Sequence, residues 1–282
     1  MESNTGTQGD AAAAQAEQRW ELSRGTAPLL ISLPHSGVRV PPEIEPQLTP
    51  HALQLPDTDW HVEKLYAFAP SLGVSVLRAK LSRYVIDLNR DPSGASLYPG
   101  RDTTELCPTS TFDERPIYLP GHAPDAAEIE RRSAEYYRPY HQLLGAELER
   151  LRAAHGFALL LDGHSIRSEV PRFFQGRLPD LNLGSADGRS AAPSVELVAS
   201  QVLNNSGLSA VVNGRFKGGF ITRHFGDPAR GTHALQLELA QSCYMQEGPP
   251  FAWQAERAQR LVVTLRRLVQ ALLGWSPAEV SA

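Results

Sequence analysis

The run Phe157-Ala158-Leu159-Leu160-Leu161 narrows the fold more than any other stretch: it is apolar without alternation and is cut off abruptly by Asp162-Gly163-His164-Ser165. A strand with no polar side needs cover on both faces, as in sheets sandwiched between helices. Leu29 to Leu33 reads as a second buried strand, broken by Pro34-His35-Ser36-Gly37. Further strands are expected near Gly73 to Leu77, Tyr84 to Leu88, Leu208 to Val212 and Thr232 to Ala240. A helix is expected to start at Asp57-Thr58-Asp59, where Asp or Thr can cap it. A long one follows from Asp125 to His155, kinked at Pro139 and stopped by Gly156. Others span Ser194 to Asn205 and the C-terminal leucines Leu261, Leu265, Leu268 and Leu272. Strands alternating with helices, without an internal repeat, predict one α/β domain with a mixed, mostly parallel sheet flanked by helices. It occupies residues 20–282, behind a disordered tail at 1–19.

Composition excludes several classes. A hydrophobic fraction of 41%, a charged fraction of 21% and a net charge of −4 describe an ordinary globular chain without a nucleic-acid footprint. No apolar run reaches the length that spans a bilayer. Cys107 and Cys243 are too few for a disulfide framework and read as free thiols of a reducing compartment. The N-terminal stretch lacks the basic and apolar regions of a secretory signal, so a cytoplasmic location is expected. The C-terminal helix carries arginines beside its leucines; a core-packed helix with a solvated face is a commoner use of that pattern than a membrane-surface one.

Two histidines stand directly after predicted core strands, His35 and His164, where open α/β sheets build their sites. Imidazole is the commonest metal ligand. A catalytic zinc takes three protein ligands and keeps one position open. Asp57, Asp59 and His61 are the candidates for the third ligand, and Asp59 is the preferred one. In Leu235-Gln236-Leu237-Glu238-Leu239-Ala240 the alternation separates leucines from Gln236 and Glu238. A carboxylate buried inside such a strand is costly without a partner, and a water activated by a metal supplies one, which makes Glu238 a candidate general base. Asn89 and Arg90 follow a predicted strand and suit a carboxylate, with Arg83 at its other end. Gly218-Gly219-Phe220-Ile221-Thr222-Arg223 offers close backbone approach and another guanidinium, or else a plain hairpin turn. The stretch 91–124, rich in Pro, Gly, Thr and Asp, is expected to be a substrate-covering loop.

From about Leu33 to Met245 the chain resembles the N-formylglutamate amidohydrolases. The resemblance is carried by LPHSG at 33–37, DTDWH at 57–61, SRYVIDLNRDP at 82–92, TTELCPTSTFD at 103–113 and DGHSIRSEVPRFF at 162–174. DLNLG at 180–184, GGFITRHFGDP from 218 and THALQLELAQSCYM ending at 245 complete it. It implies a zinc carboxypeptidase-like fold and a Zn2+ ion, or another divalent metal, on His35, Asp59 and His164. In that wider group a ligand Glu stands three residues after the first His; here that place is Val38, and Asp59 substitutes. The resemblance also implies hydrolysis of N-formyl-L-glutamate to formate and glutamate, the last step of a histidine degradation route. Glu238 would be the base, Arg83 or the metal the oxyanion partner, and Asn89 with Arg90 the grip on the α-carboxylate. Arg223, then Arg167 and Arg101, would meet the second carboxylate.

Rival readings are a zinc deacylase of another N-acyl amino acid or short acidic peptide, and an inactive protein that binds an acidic ligand. Ser165 lacks the glycine two residues on that a nucleophile elbow needs, since Arg167 stands there. Neither cysteine has an evident base beside it.

Overall fold

The computed structural model describes residues 19–95, 100 and 102–277, so the expected tail at 1–19 and Arg101 lie outside the described residues, apart from residue 19. Seven strands form one sheet in the order β1-β3-β2-β4-β7-β5-β6. They are β1 (Trp20–Ser23), β2 (Leu29–Leu33), β3 (Ser75–Ala79), β4 (Ala158–Ile166), β5 (Leu181–Gly184), β6 (Ala210–Val212) and β7 (Thr232–Ala240). The pairs β3/β2, β2/β4, β4/β7 and β5/β6 are parallel, while β1/β3 and β7/β5 are antiparallel. The helices are α1 (Val62–Leu65), α2 (Ala126–Arg132), α3 (Arg138–His155), α4 (Pro193–Asn204), α5 (Phe220–Phe225) and α6 (Ala255–Leu273).

Side-chain alternation divides the core between the two faces of the sheet. Leu29, Ile31, Leu33, Leu159, Leu161, Leu235, Leu237 and Leu239 pack with Val195 and Leu203 of α4 and with the leucines of α6. Leu30, Ala158, Leu160 and Ala234 pack on the opposite face with Tyr140, Leu144, Leu148 and Leu151 of α3. Each fully buried leucine is worth about 1.5–3 kcal/mol over an exposed one, so two-sided cover holds β4 and β7 at the centre. Leu261, Leu265, Leu268 and Leu272 are buried, which makes α6 a core-packed helix. Among the described residues no helix is long and apolar enough to cross a membrane.

The long helix begins where expected, with Asp125 accepting from the Glu128 N–H at 2.9 Å. It is interrupted by a π-helical segment at Ser133–Tyr137, directly before Pro139. Proline lacks an N–H, and its ring crowds the carbonyl four residues earlier. That carbonyl belongs to Glu135; it accepts instead from the Arg19 guanidinium at 3.1 Å, so the wider turn leaves no orphan.

Four expectations are corrected. Residues 84–88 form turns rather than a strand: Ser82 caps the segment by accepting from the Tyr84 N–H, and the Asp87 N–H goes to the Leu106 carbonyl. β4 does not end at Leu161 but continues through His164 to Ile166, because β7 pairs with it along the whole length. Asp57 to Asp59 start no long helix; the local helix is only Val62–Leu65, entered through His61 at a positive φ of 63°. Gly218-Gly219 opens α5 rather than a hairpin, with Gly219 at its N-cap.

Candidate metal centre and substrate pocket

At the carboxyl ends of β2, β4 and β7 the alternation that buries leucines turns polar. Asp162 and His164 on β4 pair in register with Gln236 and Glu238 on β7, so the four side chains share one face. His35 lies just beyond β2, and Asp59 is drawn beside it by the Asp59 N–H donating to the His35 carbonyl at 3.0 Å. His35, Asp59 and His164, all buried, each offer one atom within 4.8 Å of the others.

The ring orientations follow from the partners behind them. A carboxylate only accepts, so His35 donates from Nε2 to Asp87 at 2.8 Å and turns Nδ1 toward Asp59, 3.9 Å away. His164 repeats the arrangement, with Nε2 on Asp162 at 2.8 Å and Nδ1 at 3.2 Å from Asp59. Carboxylates behind metal-ligating imidazoles fix the tautomer and raise ligand basicity. Asp59 Oδ1 and Asp162 Oδ1 are buried without a hydrogen-bond partner.

Burial, helped by Arg83, lowers His35 below its ordinary value and favours the neutral ring that ligates. For His164 burial opposes protonation, but Asp162 and Asp59 outweigh it and raise the ring well above its usual range. Burial would raise Asp87; Arg83, then His35 and Arg90, outweigh it and hold the carboxyl well below. Glu238 is pushed up to about 8, chiefly by burial, with Asp59 adding and His164 opposing. Among the described residues, the carboxyls of Asp59, Asp87, Asp162 and Glu238 are buried around the Arg83 guanidinium. Buried carboxyls that outnumber the cations beside them are costly unless a proton or a metal ion balances their charge. The residues therefore fit a divalent metal: two imidazoles and a carboxylate in a closed, acidic recess.

The trio opens into a cavity of about 140 Å³ that Arg83, Asn89, Arg90, Phe112, Arg215 and Glu238 also line. From the stretch 91–124, the described residues Asp91, Gly94, Ala95, Asp102 to Leu106 and Phe112 also line it. Arg83 donates to Asp87 at 2.6 Å and lies over the Phe112 ring at 4.8 Å. Asn89 is spent on the scaffold as well as on the cavity: its Oδ1 accepts from the Ile221 N–H at 2.8 Å, and Nδ2 meets Asp162 and His164. Arg90 donates from Nε and Nη2 to the carbonyl and hydroxyl of Thr104.

Other expected residues stand elsewhere. Asp57 accepts from the Tyr84 hydroxyl at 2.6 Å and the Phe112 N–H at 2.9 Å, so it holds the pocket wall rather than the trio. His61 bonds to the Phe251 carbonyl. Arg223 donates to the Gly218 carbonyl and Arg167 is 3.9 Å from Asp57; neither is part of the cavity wall. Arg215, Asp87 and Asp162 were not singled out as site residues from sequence, although each aspartate lies inside a recognised motif, Asp87 in SRYVIDLNRDP and Asp162 at the start of DGHSIRSEVPRFF. Ser165 is hydrogen-bonded to the Tyr244 hydroxyl at 2.7 Å, and burial pushes the Cys107 and Cys243 thiols up to about 11 and 12, unlike activated nucleophiles.

The model of the N-formylglutamate amidohydrolase family matches residues 27–245. An N-formylglutamate deformylase of Pseudomonas putida is 49% identical over 253 residues, covering 89% of this chain and 94% of its own length. That of Pseudomonas aeruginosa is 50% identical over 255 residues, covering 90% and 96%. The crystal structure of an N-formylglutamate amidohydrolase from Ralstonia eutropha superimposes with a TM-score of 0.75 at 27% identity, over 91% of this chain and 96% of that one. A gene product of Agrobacterium tumefaciens shares the fold, with a TM-score of 0.68 at 18% identity over 92% and 97%.

Proposed function

Because this chain belongs to the N-formylglutamate amidohydrolase family, we propose that it hydrolyses N-formyl-L-glutamate to formate and L-glutamate with the help of a divalent metal, zinc in the first instance. The observation that carries the reading is the convergence of His35, Asp59 and His164 beside a buried Glu238. When bound, the ion supplies Lewis acidity toward the formyl oxygen and toward water.

The chain's own residues do the rest. Glu238 takes a proton from the attacking water, whose oxygen forms a bond to the formyl carbon. It then returns the proton to the amine as the C–N bond breaks. Arg83, fixed by Asp87 and by the Phe112 face, stabilises the oxyanion, an interaction typically worth a few kcal/mol. Arg90, with Asn89 beside it, orients the substrate through its α-carboxylate, and the wall around Phe112 excludes water. Formate and glutamate are the products expected of the closing step of histidine degradation.

The test is formate release from N-formyl-L-glutamate by the purified protein, before and after chelation and with zinc added back. Loss on chelation and recovery with zinc is the expected result. Full activity after chelation would remove the metal from the mechanism. Faster turnover of acetyl-glutamate or formyl-aspartate would move the substrate to another acyl amino acid.

A further inference from the structure

The substrate proposed above carries two carboxylates, and among the described residues the guanidiniums lining the cavity are those of Arg83, Arg90 and Arg215. Arg83 is buried and paired with Asp87, whereas Arg90 and Arg215 remain partly exposed. They come from opposite ends of the sheet. Arg90 follows the turns beyond β3 and is braced on Thr104; Arg215 follows β6, the far edge strand, on the other side of β7. The site at the ends of β4 and β7 lies between them.

The segment that carries Arg215 is fixed on the scaffold. Asn213 Oδ1 accepts from the Ser185 N–H at 2.9 Å, the Lys217 carbonyl accepts from the Ala186 N–H at 2.6 Å, and the Gly219 N–H donates to Gln236 at 2.6 Å. Gly184 permits this approach, since a Cβ there would meet the Lys217 backbone at 2.5 Å. The Arg215 guanidinium lies over the Phe174 ring at 5.9 Å, in the apolar patch of Phe112, Phe173 and Phe216. Beside such rings it is less hydrated and its planar fork is pre-oriented, which suits a carboxylate at the end of a methylene chain.

We propose that Arg215 binds the side-chain carboxylate of the substrate and sets the preference for an acidic acyl amino acid, across the cleft from Arg90. This rests on the function proposed above and replaces Arg223 in that role.

The experiment compares N-formyl-L-glutamate with N-formyl-L-glutamine, its neutral isostere, in the wild-type protein, Arg215→Met and Arg215→Lys. Arg215→Met is expected to lower kcat/KM on the glutamate substrate on the order of 100-fold, mostly through KM, with the glutamine substrate changed by no more than a few-fold. Arg215→Lys, which keeps the charge and loses the fork, should fall between. Equal losses on both substrates, or no loss on either, would overturn the assignment. If the wild-type protein releases no formate at all, the function has failed; calorimetric binding of L-glutamate against L-glutamine to the zinc-loaded protein then decides Arg215. A preference lost in Arg215→Met supports the role, and one that survives overturns it.

Discussion

His164 and Glu238 are register partners on adjacent parallel strands, so one residue of a pair belongs to the candidate metal trio while the other, the candidate base, stands beside it. The distance between the two roles is set by the strand spacing of about 4.8 Å and not by a flexible loop. A change of a single atom at Glu238 therefore tests the chemistry with little disturbance of the fold. Glu238→Gln is expected to bind zinc as the wild type does and to lose turnover by about 10²–10⁴-fold. Near-normal formate release from the zinc-loaded variant would mean the base is another group.

Asp87 supports His35 and is itself gripped by Arg83. Asp87→Asn should weaken zinc by about 10–100-fold in chelator competition. It should also cost stability, about 3–5 kcal/mol at most, since it leaves a buried guanidinium poorly compensated. Unchanged zinc affinity would show that His35 needs no carboxylate behind it.

At Gly219 an added Cβ would lie 2.3 Å from Asn89 Nδ2, and Asn89 is held from several sides. Gly219→Ala is expected to destabilise by about 1–3 kcal/mol, read as a fall of several degrees in Tm. Gly248, where a Cβ meets nothing within 4 Å, is the control, and Gly248→Ala should stay within about 0.5 kcal/mol of wild type. Equal melting of the two variants would contradict the close packing of Gly219.

Away from the site, His141 donates from Nε2 to the Leu88 carbonyl and stacks on Tyr137, with ring centroids 4.1 Å apart. Burial pushes it down to about 4 from an ordinary 6.5. Between those values the unfolded chain binds a proton that the folded chain refuses, so stability falls as pH drops through this window, by about 3 kcal/mol in all. His141→Gln should flatten that part of the urea-unfolding profile relative to wild type. Parallel profiles would place the proton elsewhere.

The sequence carried the central strands and the trio because two-sided burial and strand-end histidines leave local signatures: β7 is found at its expected bounds, Thr232–Ala240. Tyr84 to Leu88 misled because Val85, Ile86 and Leu88 look like a strand, yet the chain bends there to bury Asp87 against His35 and Arg83. β5, at Leu181–Gly184, was missed: four residues containing an Asn and a Gly hold too little β propensity to stand out. Arg215 belongs to no motif, and only the folding of its segment against β5 and Gln236 brings it to the cavity. Such long-range placement leaves no period to read.

The candidate metal ligands stand at positions 35, 59 and 164, and the candidate base at 238, on distant segments brought together by the pairing of β2, β4 and β7 and by the Asp59 N–H on the His35 carbonyl. No short piece of chain holds them together, so their convergence exists only after the longest loops have closed. An ion with affinity for the trio then has little to grip in the unfolded chain, and its whole binding free energy is added to the native state. Metal supply would therefore govern how long the protein survives as well as how fast it turns over, with starvation first felt as proteolysis of apoprotein.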